Sequence, residues 1–137
     1  MTTQNNDTLS KLSDTDKIID GAANDIRGRK VKDKDGKDVG KVHDLLIDDS
    51  EGKVRFMLIE HGGFLGIGEI KSFIPVDAIT RITEDDVFIN QTRDRVAAAP
   101  GYEPALINER AYHEDIYNHY AFAPYWGAGY AYPGFML

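Results

Sequence analysis

The sequence predicts an all-β fold, a small barrel of five to six strands with a short helix after it and irregular tails at both ends. Three observations predict it. Between Gly28 and Pro100, short extended runs rich in Val, Ile and Phe alternate with turn signals at close spacing, the rhythm of a sandwich or barrel rather than of strand–helix–strand units. The glycine-rich stretch Gly62-Gly-Phe-Leu-Gly-Ile-Gly68 runs straight into a strand that stops at Pro75, where the missing N–H suits a strand end or an edge. The chain has 137 residues and 42% hydrophobic content, enough for one ordinary core and too little for two catalytic domains.

The elements follow in order. Lys30 to Lys32 reads as a first short strand, and Asp33-Lys-Asp-Gly36 as a turn in which Gly36 supplies positive φ. Val39 to Ile47 is the second strand, apolar on both faces by Leu45-Leu-Ile47, and Asp48-Asp-Ser-Glu-Gly52 is the hairpin turn after it. Lys53 to Glu60 sets Val54, Phe56 and Leu58 on one face and Arg55, Met57 and Ile59 on the other. One face is wholly apolar and the other mixed, which predicts a central strand with Arg55 on its solvent side. Ile70 to Ile74 is the next strand, Val76 to Ile79 one helical turn at the barrel mouth with Asp77 as its cap, Thr80 to Ile82 a short bridge, and Val87 to Asn90 the last strand. Arg93 to Ala99 predicts a short helix, halted by Pro100-Gly101.

Charge and composition exclude several classes of function. The net charge of -7 and pI near 5.0 oppose nucleic-acid binding, which draws much of its affinity from clustered Lys and Arg. The chain has no cysteine, hence no disulfide, thiol nucleophile or thiolate metal site, as suits a reducing compartment. No run approaches the roughly 18 apolar residues of a spanning helix, and Met1 to Asp7 has neither a basic nor an apolar leader pattern. The expected location is the cytoplasm, without membrane insertion.

The motifs then line up as a set. The order Ile26-Arg-Gly-Arg-Lys-Val31, Asp35-Gly36, Val39-Gly-Lys-Val42, Asp44-Leu-Leu-Ile-Asp48, Val54-Arg-Phe56, Gly62-Gly-Phe-Leu-Gly66, Ile74-Pro-Val-Asp-Ala-Ile79 and Ala99-Pro100 resembles the PRC-barrel family. The resemblance covers about residues 25–102. It divides the chain into an N-terminal segment, 1–24, expected to be mostly mobile although Leu9, Leu12, Ile18 and Ile19 could dock, a barrel domain, 25–102, and an aromatic Gly/Pro-rich tail, 103–137. The whole chain is most similar to small stand-alone bacterial members with such a tail. The resemblance implies a barrel used for binding and assembly, without general enzymatic activity, and a stress-related role. With no transmembrane anchor and no second β-domain before the barrel, the chain differs from reaction-centre H subunits and from ribosome-maturation factors.

The tail is the candidate interaction element. All seven tyrosines and the single tryptophan fall at or after Tyr102, and the last charged side chain is Asp115. From Ile116 onward the composition reads as poor for a helix and good for contacts, because Tyr and Trp bring large amphipathic surfaces with few rotors. Tyr117, Tyr120, Phe122, Tyr125, Trp126, Tyr130 and Tyr132 are therefore candidate interface residues, together with Phe64, Leu65 and Ile67, three apolar side chains in the glycine loop that need cover. The arm can cover its own barrel, exchange with a second copy in a homodimer or larger assembly, or hold no fixed position.

No pattern reaches the standard of catalysis or metal binding. Asp33 to Asp38 alternates oxygen ligands as calcium loops do, but Gly36 comes too early and no bidentate Glu follows at the twelfth place, so a plain turn is the reading. His43 and His61 lie on strands that can be neighbours but lack a third ligand, and His113 and His119, six apart, do not share a helix face. Gly66-Ile-Gly68 precedes a strand, not the helix N-terminus a phosphate needs. No metal, cofactor or catalytic residue is assigned. The competing function is a small-molecule or metal-binding stress protein with a pocket at the barrel mouth.

Overall fold

The computed structural model describes residues 9–14, 25–62 and 70–133. Seven strands are present among them: β1 (Leu9–Lys11), β2 (Lys30–Lys32), β3 (Asp38–Asp48), β4 (Val54–His61), β5 (Ile70–Pro75), β6 (Ile79–Ile82) and β7 (Asp86–Ile89). Two helices follow, α1 (Arg93–Ala97) and α2 (Arg110–Tyr120). The strands form one curled half-barrel sheet in the order β5-β4-β3-β2-β7-β6, with β1 added beside β3. All pairings are antiparallel except β2 with β7, which run parallel through Val31 opposite Val87. The predicted strands, the turn Val76–Ala78 and the helix after the sheet are all present.

The 11-residue β3 organises the sheet because it outlasts either neighbour on one side. Its first half pairs with β2 and its second half with β1, where Leu9 lies opposite Asp48 and Lys11 opposite Leu46. Leu9 and Leu12 are accordingly buried, so this part of the N-terminal segment does dock; Ile18 and Ile19 lie outside the described residues. Asp44 fastens it, its carboxylate accepting the Ser13 N–H and the Ser13 hydroxyl.

Simple alternation along β3 is broken by three register shifts. Pairing with β2 slips between Val31 and Lys32, and pairing with β4 slips around His43 and again between Leu46 and Ile47. A bulge adds one residue to one strand and so resets which side chains face inward. Val39 and Val42 are both buried for that reason, although three positions apart. Gly40 lies where β3 presses on β4: a Cβ there would sit 1.9 Å from the Glu60 carbonyl oxygen.

The buried aliphatic and aromatic side chains form one core cluster. Val31, Val42, Leu45, Ile74, Val87 and Ile89 belong to it, and Phe56 and Phe73, with ring centroids 5.8 Å apart, meet the rings of Tyr117 and Tyr112 from the C-terminal residues. The turn of Asp33 to Lys37 is joined to the start of α1 by one carboxylate. Asp33 accepts the backbone N–H groups of Asp35 and Lys37 on Oδ1 and of Arg93 on Oδ2. Burial pushes the Asp33 carboxyl up, but these three donors outweigh it and hold it below the usual carboxylate range. The Asp33–Asp38 stretch is thus a structural turn, as its sequence suggests.

Candidate functional site: an aromatic arm closed over a buried arginine

The helix of the arm comes first, and it corrects one expectation. Residues after Ile116 read as poor helix formers, yet α2 runs on to Tyr120. Tertiary packing overrides the weak propensity of aromatic residues: Tyr112, His113, Ile116, Tyr117 and Tyr120 recur at helical spacing and all are buried. Ala121 ends the helix in the left-handed conformation at φ 63°, and the Phe122 N–H closes on the Tyr117 carbonyl at 3.0 Å. The Tyr117 ring lies 5.1 Å from Phe56, and the Tyr112 ring meets Phe73 edge-on at 6.2 Å. Such pairs contribute about 0.5–1.5 kcal/mol each beyond area burial.

Both histidines of α2 serve this packing. His113, buried against Phe56 at 5.5 Å, donates Nε2–H to the Ile107 carbonyl at 2.7 Å. Burial holds it below the usual imidazole range and so keeps it neutral. His119 donates to the Arg95 carbonyl at 2.7 Å while Arg95 returns a bond to the His119 carbonyl at 3.0 Å, which ties α2 to α1. The pair on the sheet is also separately engaged, His43 with Glu60 at 2.6 Å and His61 with the Ser72 hydroxyl at 2.8 Å. Among the described residues no three His, Asp or Glu side chains are grouped as a metal would need.

Arg55 is the second correction. Strand alternation puts it on the solvent side, but its side chain is 3% exposed. Its Nε donates to Asp48, itself fully buried, at 2.6 Å, and Nη2 reaches Glu51 at 3.4 Å. The tail closes the rest of the space: the guanidinium lies 4.3 Å from the Tyr125 ring centroid, 5.4 Å from Tyr132 and 6.0 Å from Tyr130. The Tyr132 hydroxyl then donates to the Val54 carbonyl at 3.1 Å, and Lys53 lies 4.6 Å from the same ring. A desolvated cation over aromatic faces is worth about 2 kcal/mol, against about 0.5–1 at an exposed site. The half-buried Arg110, 3.9 Å from Trp126, is the weaker contact of the two.

All seven arm residues singled out in the sequence join the core of the same chain or pack against it. Tyr117, Tyr120 and Tyr125 are buried, and Phe122, Trp126, Tyr130 and Tyr132 are partly buried against the core. The other three, Phe64, Leu65 and Ile67, lie outside the described residues. The alternation of β4 places Arg55 on the mixed face without saying what covers that face. A readable signal was Asp48, a carboxylate across the hairpin turn from Arg55.

Asp77 is the third correction. It sits inside the turn Val76–Ala78, whose preceding residue is Pro75, and no side chain caps that turn. Its buried Oδ1 has no hydrogen-bond partner among the described residues. Burial pushes its carboxyl above the usual range, and Tyr130 and Arg55 only partly offset that.

Two open cavities border these elements. One of about 290 Å³ lies between the hairpin and the tail, lined by Glu51, Lys53, Arg55, Tyr125, Tyr130 and Tyr132. Another of about 460 Å³ lies at the Gly62 end of the sheet, lined by Lys30, Asp38, Lys41, Glu60 and His61. Among the described residues no helix is long and apolar enough to cross a membrane.

The comparisons with known proteins agree with this architecture. No curated protein matches the chain. The model of the PRC-barrel domain matches residues 20–96, from the segment before β2 into α1, and the sheet positions the arm that follows. The chain belongs to the PRC-barrel family.

Proposed function

We propose that this chain is a non-enzymatic binding and assembly module whose recognition element is the aromatic arm, and that its first partner is a second copy of itself. One observation carries the reading. The barrel presents a buried cation and an aromatic floor, Arg55 with Phe56 and Phe73, to which an uncharged Tyr/Trp segment is complementary, and every copy carries such a segment. Arm exchange in a homodimer or larger assembly would form the same contacts without a new surface. The sheet edges add to it: β6 ends the strand order on one side, and on the other Ile70 of β5 is 52% exposed. The proposed setting is the cytoplasm, in a stress response, as the resemblance to stand-alone bacterial family members suggests.

Deleting the arm is a poor test, because it strips Tyr117, Tyr120 and Tyr125 from the core. Single cysteines are clean, since the chain has none of its own. Lys53→Cys and Tyr132→Cys chains are unfolded, mixed, refolded and treated with a short bismaleimide. Exchange yields a mixed covalent dimer well above what either variant gives alone, alongside a dimeric mass by light scattering. A monomeric mass, with cross-links confined to the double variant within one chain, removes self-association through the arm.

The second reading is a small-molecule or metal site at the Gly62 end of the sheet, favoured by the 460 Å³ cavity with Glu60 and His61 in its wall. A thermal-shift panel of divalent metals and small metabolites tests it through stabilisation on binding. No shift across the panel eliminates it.

A further inference from the structure

The cavity of about 460 Å³ at the Gly62 end of the sheet holds two kinds of polar side chain in its wall. The kind a metal would take is already engaged. Asp38 pairs with Lys32, Glu60 Oε1 lies 2.6 Å from His43 Nδ1, and His61 Nε2 lies 2.8 Å from the Ser72 hydroxyl. Burial holds His61 below the usual imidazole range, so its ring stays neutral near neutral pH.

The two lysines in the same wall are not engaged. Among the described residues, neither Lys30 nor Lys41 has an ion pair or a side-chain hydrogen bond. They are also set side by side. Lys30 of β2 is the direct pairing partner of Lys41 of β3, so both side chains leave the same face of the sheet, and both are exposed. Residues so placed have Cβ atoms about 4.5–5.5 Å apart, within reach of one ligand, and like charges there weaken the strand pair. Acidic residues continue the row on either side, Asp86 opposite Lys30 and Glu60 opposite Lys41. Neither forms an ion pair with its lysine, and Glu60 turns to His43 instead.

We propose, resting on the reading of this cavity as a small-molecule site, that it binds a phosphate monoester whose phosphate is held between Lys30 and Lys41. A phosphate group brings close to two negative charges and three acceptor oxygens. Each ammonium brings one positive charge and three donors on a flexible stem. The cavity is larger than a phosphate needs and falls within the roughly 300–1,000 Å³ of small-molecule sites. Val39, buried in its wall, offers the rest of the molecule an apolar contact. The net charge of -7 disfavours an extended polyanion such as a nucleic acid, which leaves a compact anion as the fit.

Isothermal titration calorimetry of the full chain tests this at about pH 7.5, where the phosphate is close to doubly charged. The probes are ribose 5-phosphate, ribose, inorganic phosphate and Zn²⁺, each at one fixed ionic strength. Ribose 5-phosphate should bind, and Lys30→Gln and Lys41→Gln should each weaken it about tenfold, as loss of a charge-assisted hydrogen bond does. Lys34→Gln, in the exposed turn after β2, should leave it unchanged. Without ligand, both lysine variants should melt no lower than the native chain, because a like-charge pair is relieved. Inorganic phosphate should bind about tenfold more weakly than the ester, since it leaves the apolar wall unused; equal affinity would assign the lysine pair to the free ion and overturn the ester. Ribose 5-phosphate binding that survives the double substitution of Lys30 and Lys41, or that falls equally in Lys34→Gln, overturns the proposal. So does a response to Zn²⁺ or ribose without one to ribose 5-phosphate, which leaves the cavity a binding site but not for an anion. Silence from every probe removes the site itself.

Discussion

The barrel and the arm of one chain are held by different forces. In the barrel, backbone ladders fix β2 to β7 and aliphatic side chains such as Val31, Leu45, Val87 and Ile89 fill the interior. In the arm, a single helix and an irregular tail rely on ring contacts with Phe56 and Phe73 and on the tyrosines around Arg55. Aliphatic packing tolerates many sequences that keep volume and pattern. A buried cation enclosed by aromatic rings depends on one residue, so the arm concentrates its stability where the barrel spreads it.

Arg55→Ala tests that contrast with the largest expected effect. It leaves Asp48 buried without its partner and removes the cation beneath Tyr125, Tyr130 and Tyr132, at a cost of about 3–5 kcal/mol. Trp126 emission should report release of the arm before far-UV circular dichroism reports loss of the sheet, and coincident transitions would show arm and barrel to be one cooperative unit. Gly40→Ala attacks the other region: its Cβ would meet the Glu60 carbonyl at 1.9 Å, and forcing β3 from β4 should cost about 3 kcal/mol. Here urea unfolding should show both probes falling together, since the arm has no floor without β4. Arg110→Ala is the mildest of the three. It removes the contact with Trp126 and should cost about 0.5–1 kcal/mol, seen as a small fall in melting temperature with the sheet unaffected.

The barrel is largely legible in the sequence, and the candidate site is not. Turn residues such as Gly36 and Pro75 mark chain reversals and strand ends by local sterics alone, so they read correctly without tertiary information. The register of β3 escapes such a reading because bulges at Val31/Lys32 and around His43 depend on how two strands fit. Arg55 and Asp77 escape it for a related reason. Period-two alternation says which face a residue is on, and position next to a turn suggests a cap, but neither says what a segment distant along the chain will lay over it. The aromatic richness of the arm is plain, while its helix to Tyr120 arises from burial against Phe56 rather than from propensity.

By itself the sequence determined the all-β class, the order of elements from β2 to α1, the family and the aromatic, uncharged character of the arm from Ile116 onward, because each rests on local chemistry: turn geometry, strand periodicity and side-chain type. Tertiary structure decided that Arg55 is buried with Asp48, that the tyrosines close over it, and that one carboxyl oxygen of Asp77, Oδ1, is buried without a hydrogen-bond partner among the described residues. Those are matters of which surfaces meet. Desolvation and pairing act over a few ångströms in space, and the contacts that set them join residues far apart along the chain.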